Sequence, residues 1–344
     1  MLIIECEGSP YEIGKQHGKS AKAEVNRSIS FYAGLFSIKS NQSWSQVRGT
    51  ASTFEKHIHS TWPAYHEEMQ GIADGAGVDL LDIVALNVRT EIAFGQFSDG
   101  CTSLAWHTGE RAFLGQNWDW MEDQKQNLIV TKIIQDSKPT ICQITEAGII
   151  GKIGFNSCGV GTLLNAIQVK GVDASHLPVH LGLRMVLDSS STIEAVEKLE
   201  KHGMASSAHI LIADPDTAIG LEFSASTFAR CMPDALGRVV HTNHLLHPHP
   251  FVVDTVWLKD SLFRADRMTE LSGNLSEANP GLTWENVSQL FEDEKNYPTS
   301  ICRAEEDNCG TGTLFNILMD LKTKSAIIRK GRPTQTEELI SLAL

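Results

Sequence analysis

A cysteine that directly follows an Asp-Gly turn dipeptide has the chemistry to cut its own chain. Cys101 follows Gly100 in the segment Asp99-Gly100-Cys101, and glycine tolerates backbone conformations that other residues cannot adopt. The Cys101 thiol could attack the Gly100 carbonyl and convert the amide into a thioester, which water then cleaves. The new α-amine, with a reference pKa of about 7.7–8.0, could serve as base for its own thiol. A buried cysteine in an ordinary turn is the alternative.

The elements that must position this cysteine change character near residue 100. Before it, helical patterns predict three helices, at 10–29, at 43–59 and at 79–93, the last ended by Gly95. After it, β-rich runs predict strands at 101–106, 112–118, 128–134, 140–145, 209–213, 218–223, 239–241, 313–320 and 325–329. Helices are predicted at 179–187, 192–202, 259–271 and 283–291. The pattern predicts an α+β fold of two antiparallel sheets with helices on their outer faces, in a single domain over 1–344.

The composition disfavours several classes of partner and location. With 29 basic and 42 acidic residues the net charge is −13, which disfavours a nucleic-acid partner. No apolar stretch is long enough for a membrane span, and the N-terminus lacks a secretory signal pattern. Seven cysteines are an odd number, which favours reduced thiols in a cytosol-like compartment.

Longer motifs occur along the chain in a fixed order. They are GSPYEIG at 8–14, DGCT at 99–102, GQNWD at 115–119, ITEAGIIGK at 144–152, GLEFS at 220–224, HTNH at 241–244 and SICRA at 300–304. Together they resemble the fungal acyl-coenzyme A:isopenicillin N acyltransferase (penicillin acyltransferase) family, within the N-terminal nucleophile hydrolase superfamily. The resemblance covers nearly the whole chain, and it makes the ordinary-turn interpretation of Cys101 much weaker.

The resemblance implies a four-layer αββα sandwich that cleaves itself into an α subunit of residues 1–100 and a β subunit of residues 101–344. It implies an enzyme of penicillin biosynthesis that moves an acyl group through a Cys101 thioester onto 6-aminopenicillanic acid, which it could obtain from isopenicillin N. Acyl-coenzyme A would be a co-substrate and not a permanently bound cofactor. The alternatives are an amidase acting on a non-penicillin amide and an unprocessed binding protein. Water and an amine attack the same thioester, so the residues do not decide between transferase and amidase.

The resemblance also assigns a carboxylate and a cation to the site. Asp119, at the end of the second predicted strand, would hold the α-ammonium of Cys101 and orient the attacking pair. Arg303 would pair with Asp119 and keep it ionised, because an opposite charge lowers the pKa of a carboxyl group. A strand-end turn residue and a structural ion pair are the alternatives. Trp118 and Trp120 flank Asp119 and could line an acyl pocket or pack in the core.

Three further residues follow from the same resemblance. Asn243 would donate to the oxyanion of the tetrahedral intermediate, with a turn asparagine as the alternative. The backbone N–H near Asn165 would be the second donor, with the Asn165 side chain in the same site. Ser224 matches a serine that the family needs for processing or activity.

The histidine-rich segment and the tail complete the predictions. Four histidines crowd residues 241–249, but interspersed prolines and the lack of a suitably spaced carboxylate disfavour a metal site. The chain ends Leu342-Ala343-Leu344, without the basic middle residue of the peroxisomal tripeptide, so a cytoplasmic location is expected and a peroxisomal one is the alternative. The polar segment 333–338 predicts an accessible tail, with docking of 339–340 as the alternative.

Overall fold

Two β-sheets lie at the centre of the computed structural model, which describes residues 1–93, 100–278, 281–306 and 309–344. The strands are β1 (Leu2–Glu7), β2 (Gly100–His107), β3 (Ala112–Trp120), β4 (Leu128–Ile134), β5 (Ile141–Glu146), β6 (Ile153–Asn156), β7 (Gly161–Ala166), β8 (Ala208–Ala213), β9 (Ala218–Phe223), β10 (Phe228–Cys231), β11 (Arg238–His241), β12 (Gly312–Asp320), β13 (Ser325–Lys330) and β14 (Glu338–Ala343). The larger sheet has the order β1-β4-β5-β6-β7-β8-β9-β10, and the smaller the order β11-β2-β3-β12-β13-β14.

Helices cover the outer face of each sheet. They are α1 (Pro10–Ser20), α2 (Lys22–Ser40), α3 (Trp44–Thr61), α4 (Pro63–Ala76), α5 (Leu80–Asn87), α6 (Arg89–Ala93), α7 (Val179–Leu187), α8 (Thr192–His202), α9 (Asp260–Ala278) and α10 (Trp284–Leu290). Helix α1 contacts β1, and α7 and α8 contact β6 to β9, on the side of the larger sheet. Helix α9 contacts β2 and β11 of the smaller sheet, and β2 and β3 contact β7 across the interface between the sheets. The layers therefore run helix, sheet, sheet, helix, which confirms the predicted αββα sandwich.

Capping residues explain where the N-terminal helices begin. Ser9 accepts from the backbone N–H of Glu12 while the Glu12 carboxylate accepts from Ser9, and Pro10 occupies the first helical position. Ser43 and Gln46 form the same reciprocal box at the start of α3. These local signals are visible in the sequence, which is why the starts of both helices were predictable.

Several elements differ from the sequence prediction. The predicted helix over 79–93 is divided at Val88 into α5 and α6, and its predicted stop at Gly95 lies outside the described residues. Helix α4 and strands β1, β6, β7, β10 and β14 were not predicted. Strand β1 pairs with β4 in parallel, so the larger sheet is mixed and the expectation of purely antiparallel sheets is wrong for this pair. Two parallel strands that are far apart in the sequence are not joined by a hairpin turn, so no turn signal in the sequence predicts that they pair.

The C-terminal segment is part of the smaller sheet. Strand β14 pairs with β13 along its whole length, Ile340 is buried, and the Leu344 N–H donates to the Lys324 carbonyl at 3.0 Å. The expected accessible tail is therefore wrong, and docking, the alternative, is what the structure has. Among the described residues, no helix combines the length and the apolar character that crossing a membrane requires.

Candidate active site

Cys101 lies at the start of β2, between the two sheets. Gly100 pairs with Asp119 and Cys101 with Trp118 in the antiparallel β2–β3 ladder. Successive residues of a strand point to opposite faces. Cys101 accordingly joins the core between the sheets, whereas Leu104 packs in the core beneath α9 and α10. Cys101 is thus fully buried among the first residues of β2, where the strand pairs with β3.

Asn243 contacts the backbone of Cys101 directly. It follows β11, which pairs with β2, and its Oδ1 accepts the Cys101 N–H at 2.9 Å. Its Nδ2 donates to the Ala166 carbonyl at 3.0 Å, and its own N–H donates to Ser261 Oγ at 2.7 Å. The amide oxygen therefore faces the Cys101 nitrogen, while the NH₂ group faces the end of β7.

Asp119 and Arg303 form a buried pair beside Gly100. Thr313 Oγ1 donates to Asp119 Oδ1 at 2.7 Å, and Arg303 Nε lies 3.4 Å from Asp119 Oδ2. A Cβ atom on Gly100 would lie 3.0 Å from Asp119 Oδ2 and 3.4 Å from Arg303 Nε. Such contacts leave little room for a side chain at residue 100, so glycine suits this position. Arg303 also forms an ion pair with Asp260 of α9.

The pKa of Asp119 depends on burial as well as on the neighbouring cation. Burial raises its pKa from 3.8 to about 6, although Arg303, Arg264 and the Thr313 hydroxyl act in the opposite direction. The predicted pairing with Arg303 is present, and Arg303 lowers the pKa as expected, but burial raises the pKa by more. The loss of hydration at a fully buried carboxyl outweighs the cation, and burial is a property that local sequence does not display.

Asn165 lies on β7, opposite β2. Its Oδ1 accepts from Ser103 Oγ at 2.7 Å and lies 2.9 Å from His209 Nδ1, and its Nδ2 lies 3.4 Å from the His241 carbonyl. The side chain is thus next to the strand of Cys101, two residues along, and the following residue, Ala166, accepts from Asn243. Donation by a backbone N–H near Asn165 to an oxyanion stays a prediction.

Ser224 lies in the turn between β9 and β10. Its Oγ accepts the N–H groups of Ser226 and Thr227 and lies 2.7 Å from Thr227 Oγ1. Among the residues that the structure describes, its side chain bonds only within this turn. The structure therefore does not bring Ser224 into hydrogen-bond contact with Cys101, and its predicted role in processing or activity is untested.

Two residues of α9 complete the site and were missed in the sequence. Arg264 Nη1 donates to the Cys101 carbonyl at 2.5 Å and to Thr102 Oγ1 at 2.9 Å, and Nη2 donates to Asn243 Oδ1 at 2.8 Å. Arg264 Nε donates to Asp260 Oδ2 at 2.7 Å. The spacing of Asp260 and Arg264 is a normal helical ion-pair spacing, so the only available sequence signal pointed to a surface pair.

A cluster of potential metal ligands lies nearby. His209, Cys231 and His241 have ligand atoms within 4.8 Å of one another, but the two rings stack with centroids 3.5 Å apart at 10°. Imidazole lone pairs lie in the ring plane, so parallel stacked rings cannot both direct a lone pair at one ion at the usual distance of about 2.0–2.1 Å. His241 Nε2 is also 2.8 Å from Glu222 Oε1. This geometry favours a hydrogen-bonded network over a metal centre.

A family model and a curated relative both match most of this chain. A sequence model of the acyl-coenzyme A:6-aminopenicillanic acid acyl-transferase family matches residues 106–335. The chain belongs to this family. A relative from Emericella nidulans, named acyl-coenzyme A:6-aminopenicillanic-acid-acyltransferase 40 kDa form, is 43% identical over 343 residues, covering 98% of this chain and 95% of the relative.

One of the solved structures similar to this chain supports its fold. A variant of conjugated bile acid hydrolase from Clostridium perfringens has a TM-score of 0.51 and 12% identity, covering 71% of this chain and 92% of that one. Penicillin V acylase from Agrobacterium tumefaciens has a TM-score of 0.45 and 12% identity, covering 71% and 86%. The bile acid hydrolase likeness shows the N-terminal nucleophile hydrolase fold, and at this identity it shows nothing more.

A cavity of about 360 Å³ opens beside Arg303 and Asp260 in this acyltransferase fold. Trp120, Trp257 and Leu258 contribute apolar walls. Trp118, by contrast, is fully buried in the core. Of the two tryptophans considered for an acyl pocket, only Trp120 therefore lines this cavity.

Proposed function

We propose that this chain is a self-processing acyl-coenzyme A:6-aminopenicillanic acid N-acyltransferase that acts through a thioester on Cys101. The observation that carries the proposal is the convergence of three groups on the start of β2. The Asn243 amide bonds the Cys101 nitrogen, and the Asp119–Arg303 pair packs against Gly100, the residue on the other side of the bond to be cut. The name of the 43% identical relative supports the substrate class.

Self-cleavage would begin with attack of the Cys101 sulfur on the Gly100 carbonyl carbon. The C–N bond breaks, the nitrogen takes the thiol proton, and a Gly100 thioester results. Water then hydrolyses this thioester to a Gly100 carboxylate, leaving Cys101 with a free thiol and α-amine. Departure of Gly100 would expose the space against which it packs, beside Asp119 and Arg303.

Acyl transfer would use the same sulfur a second time. The α-amine takes the thiol proton, the thiolate attacks the carbonyl of acyl-coenzyme A, and coenzyme A leaves as its thiol. The amine of 6-aminopenicillanic acid then attacks the Cys101 thioester and forms the product amide, which restores the thiol. Asn243 Nδ2 would stabilise the oxyanion in both steps, with a backbone N–H near Asn165 as second donor.

The decisive experiment is incubation of the purified protein with phenylacetyl-coenzyme A and 6-aminopenicillanic acid. We expect an N-acylated penicillin, with Cys101→Ala as the inactive control, and hydrolysis of isopenicillin N to 6-aminopenicillanic acid is assayed in parallel. Phenylacetate formed without penicillin would instead support the amidase that the same thioester allows. Absence of both products would refute the proposal.

Two finer properties belong to the proposal. We infer that fragments 1–100 and 101–344 remain together as a heterodimer, and that the protein works in the cytoplasm, since cysteine usage favours a reducing compartment. Imaging of an N-terminal fluorescent fusion tests the location. Diffuse signal is expected, and puncta that coincide with a peroxisomal marker would contradict it.

A further inference from the structure

Arg264 is fully buried, although it belongs to a helix on the outer layer of the fold. Its guanidinium reaches the Cys101 carbonyl, the Thr102 hydroxyl and Asn243 Oδ1. Burial of such a long cation is costly unless its donors are paired, and these three acceptors with Asp260 pair four of its N–H groups. All but Asp260 belong to the segment that carries the nucleophile or to the predicted oxyanion donor.

The chemistry of the guanidinium fixes the orientation of the Asn243 amide. A guanidinium has N–H donors and no acceptor, so it can face Oδ1 of Asn243 and not Nδ2. In the uncut chain the Cys101 N–H also donates to Oδ1, and it therefore favours the same orientation of the Asn243 amide. Both donors therefore turn the NH₂ group away, towards the Ala166 carbonyl. An amide turned by half a rotation would present an oxygen to the oxyanion and repel it.

Cleavage changes one of these two donors and not the other. The amide N–H of Cys101 becomes an amine whose lone pair must be free when it accepts the thiol proton. A neutral amine can donate or accept, so it no longer dictates which end of the Asn243 amide it meets. Among the described residues, Arg264 then still favours one orientation by donating to Oδ1, and the Ala166 carbonyl favours the same orientation by accepting from Nδ2.

Asp260 links this donor to the other half of the site. Its Oδ2 accepts from Arg264 Nε and also pairs with Arg303, which in turn lies beside Asp119. Asp260 therefore fixes the position of the Arg264 guanidinium, and its ion pair with Arg303 fixes Asp260 in turn. A lysine at residue 264 could not bridge the Cys101 carbonyl and Asn243 at once, because its ammonium is a compact point charge.

We propose that Arg264 is a positioning residue for acyl transfer, which holds the Asn243 amide with its NH₂ group directed at the oxyanion. The inference rests on the proposed function and extends it to a residue that contacts no reacting atom. Its effect on turnover is bounded, because loss of an oxyanion donor itself costs about 10²–10³ in kcat. We expect Arg264→Gln to lower kcat by at least about tenfold within this bound, with KM little changed.

A double-mutant cycle separates this role from a purely structural one. Steady-state transfer from phenylacetyl-coenzyme A to 6-aminopenicillanic acid is measured for Arg264→Gln, Asn243→Ala and the double variant. If Arg264 acts through Asn243, its replacement should cost less than about threefold in kcat once Asn243 is alanine. An equal loss in both backgrounds would overturn the inference. Arg264→Lys, which keeps the charge, should lie between wild type and Arg264→Gln, and serves if Arg264→Gln does not fold.

Arg267 supplies the matched control. It lies on the same helix and forms ion pairs with Asp293 and Glu270, away from Cys101. Arg267→Gln should leave kcat near the wild-type value. An equal loss of kcat in Arg267→Gln and Arg264→Gln would mean that helix charge, not Asn243, is responsible.

The crystal structure of the Arg264 variant keeps the inference testable if the proposed function fails. Wild-type protein that forms neither penicillin nor phenylacetate refutes the proposed function alone. The positioning role is then judged by the Asn243 side chain, which we expect to leave the Cys101 nitrogen or the Ala166 carbonyl. An unchanged Asn243 in that structure would overturn the inference.

Discussion

Replacement of Asp119 by asparagine should change how the stability of the uncut chain depends on pH. Burial raises the Asp119 pKa from 3.8 to about 6, so the folded state holds this proton more tightly than the unfolded chain does. The free energy of unfolding that Asp119 contributes is therefore highest when the carboxyl is protonated. It falls as the pH rises through the window from 3.8 to about 6.

The magnitude follows from the size of this rise. At about 1.36 kcal/mol per pKa unit, ionised Asp119 costs about 3 kcal/mol in the folded state relative to its protonated form. About 2 kcal/mol of this cost appears between pH 4 and pH 7. The asparagine side chain that replaces it carries no titrating proton. It would place an NH₂ group near Arg303, but that penalty is the same at every pH.

The assay compares Cys101→Ala with Cys101→Ala/Asp119→Asn, because both chains are expected to stay uncut. Urea unfolding is followed by tryptophan fluorescence at pH values from 4 to 7.5. We expect the Asp119→Asn chain to gain about 2 kcal/mol relative to its parent between pH 4 and pH 7. Glu285→Gln, at an exposed carboxylate on α10, should show no such gain.

Two results would refute this reasoning. A difference between the two chains that does not change with pH would mean that the Asp119 pKa is the same in both states. A difference of the opposite sign would mean that Arg303 outweighs burial. Other buried carboxyl groups cancel in the comparison, since both chains contain them.

Four further predictions concern processing, turnover, assembly and stability. The purified protein should run as two fragments with Cys101 at one N-terminus, and Cys101→Ala should run as one chain; fragments persisting in that variant would show that an outside protease cuts after Gly100. Asn243→Ala should lower kcat by about 10²–10³, and a folded variant with near-normal turnover would remove Asn243 from the mechanism. Fragments 1–100 and 101–344 should co-elute from a sizing column in 1 M salt. Arg89 of the first fragment and Glu146 of the second form an ion pair at 2.7 Å that is buried, so dissolved salt screens it little. Separation of the fragments in salt would contradict this. Arg89→Met should lower the free energy of unfolding in urea by about 3 kcal/mol, because it leaves the buried Glu146 without this cation.

The sequence by itself determined the local features of the site. The alternation of a β-strand places residues 101 and 103 on one face and residue 102 on the other, and the short connection to the next strand brings residue 119 back beside residue 100. The family motifs, in their order along the chain, were enough to predict the αββα fold. Helix starts at Ser9 and Ser43 were visible because capping residues act on their immediate neighbours.

Only the tertiary structure decided the features that depend on distant segments. Arg264 reaches Cys101 because α9 packs across β2, and a helical Asp-Arg spacing carries no record of that packing. Ser224 turned out to bond within its own turn, and the tail to pair with β13. The pKa of Asp119 is raised although Arg303 lowers it, because the nearby cation can be inferred from a motif but the removal of water cannot. Pairwise charge is a local quantity, whereas desolvation is set by every segment that packs around the group.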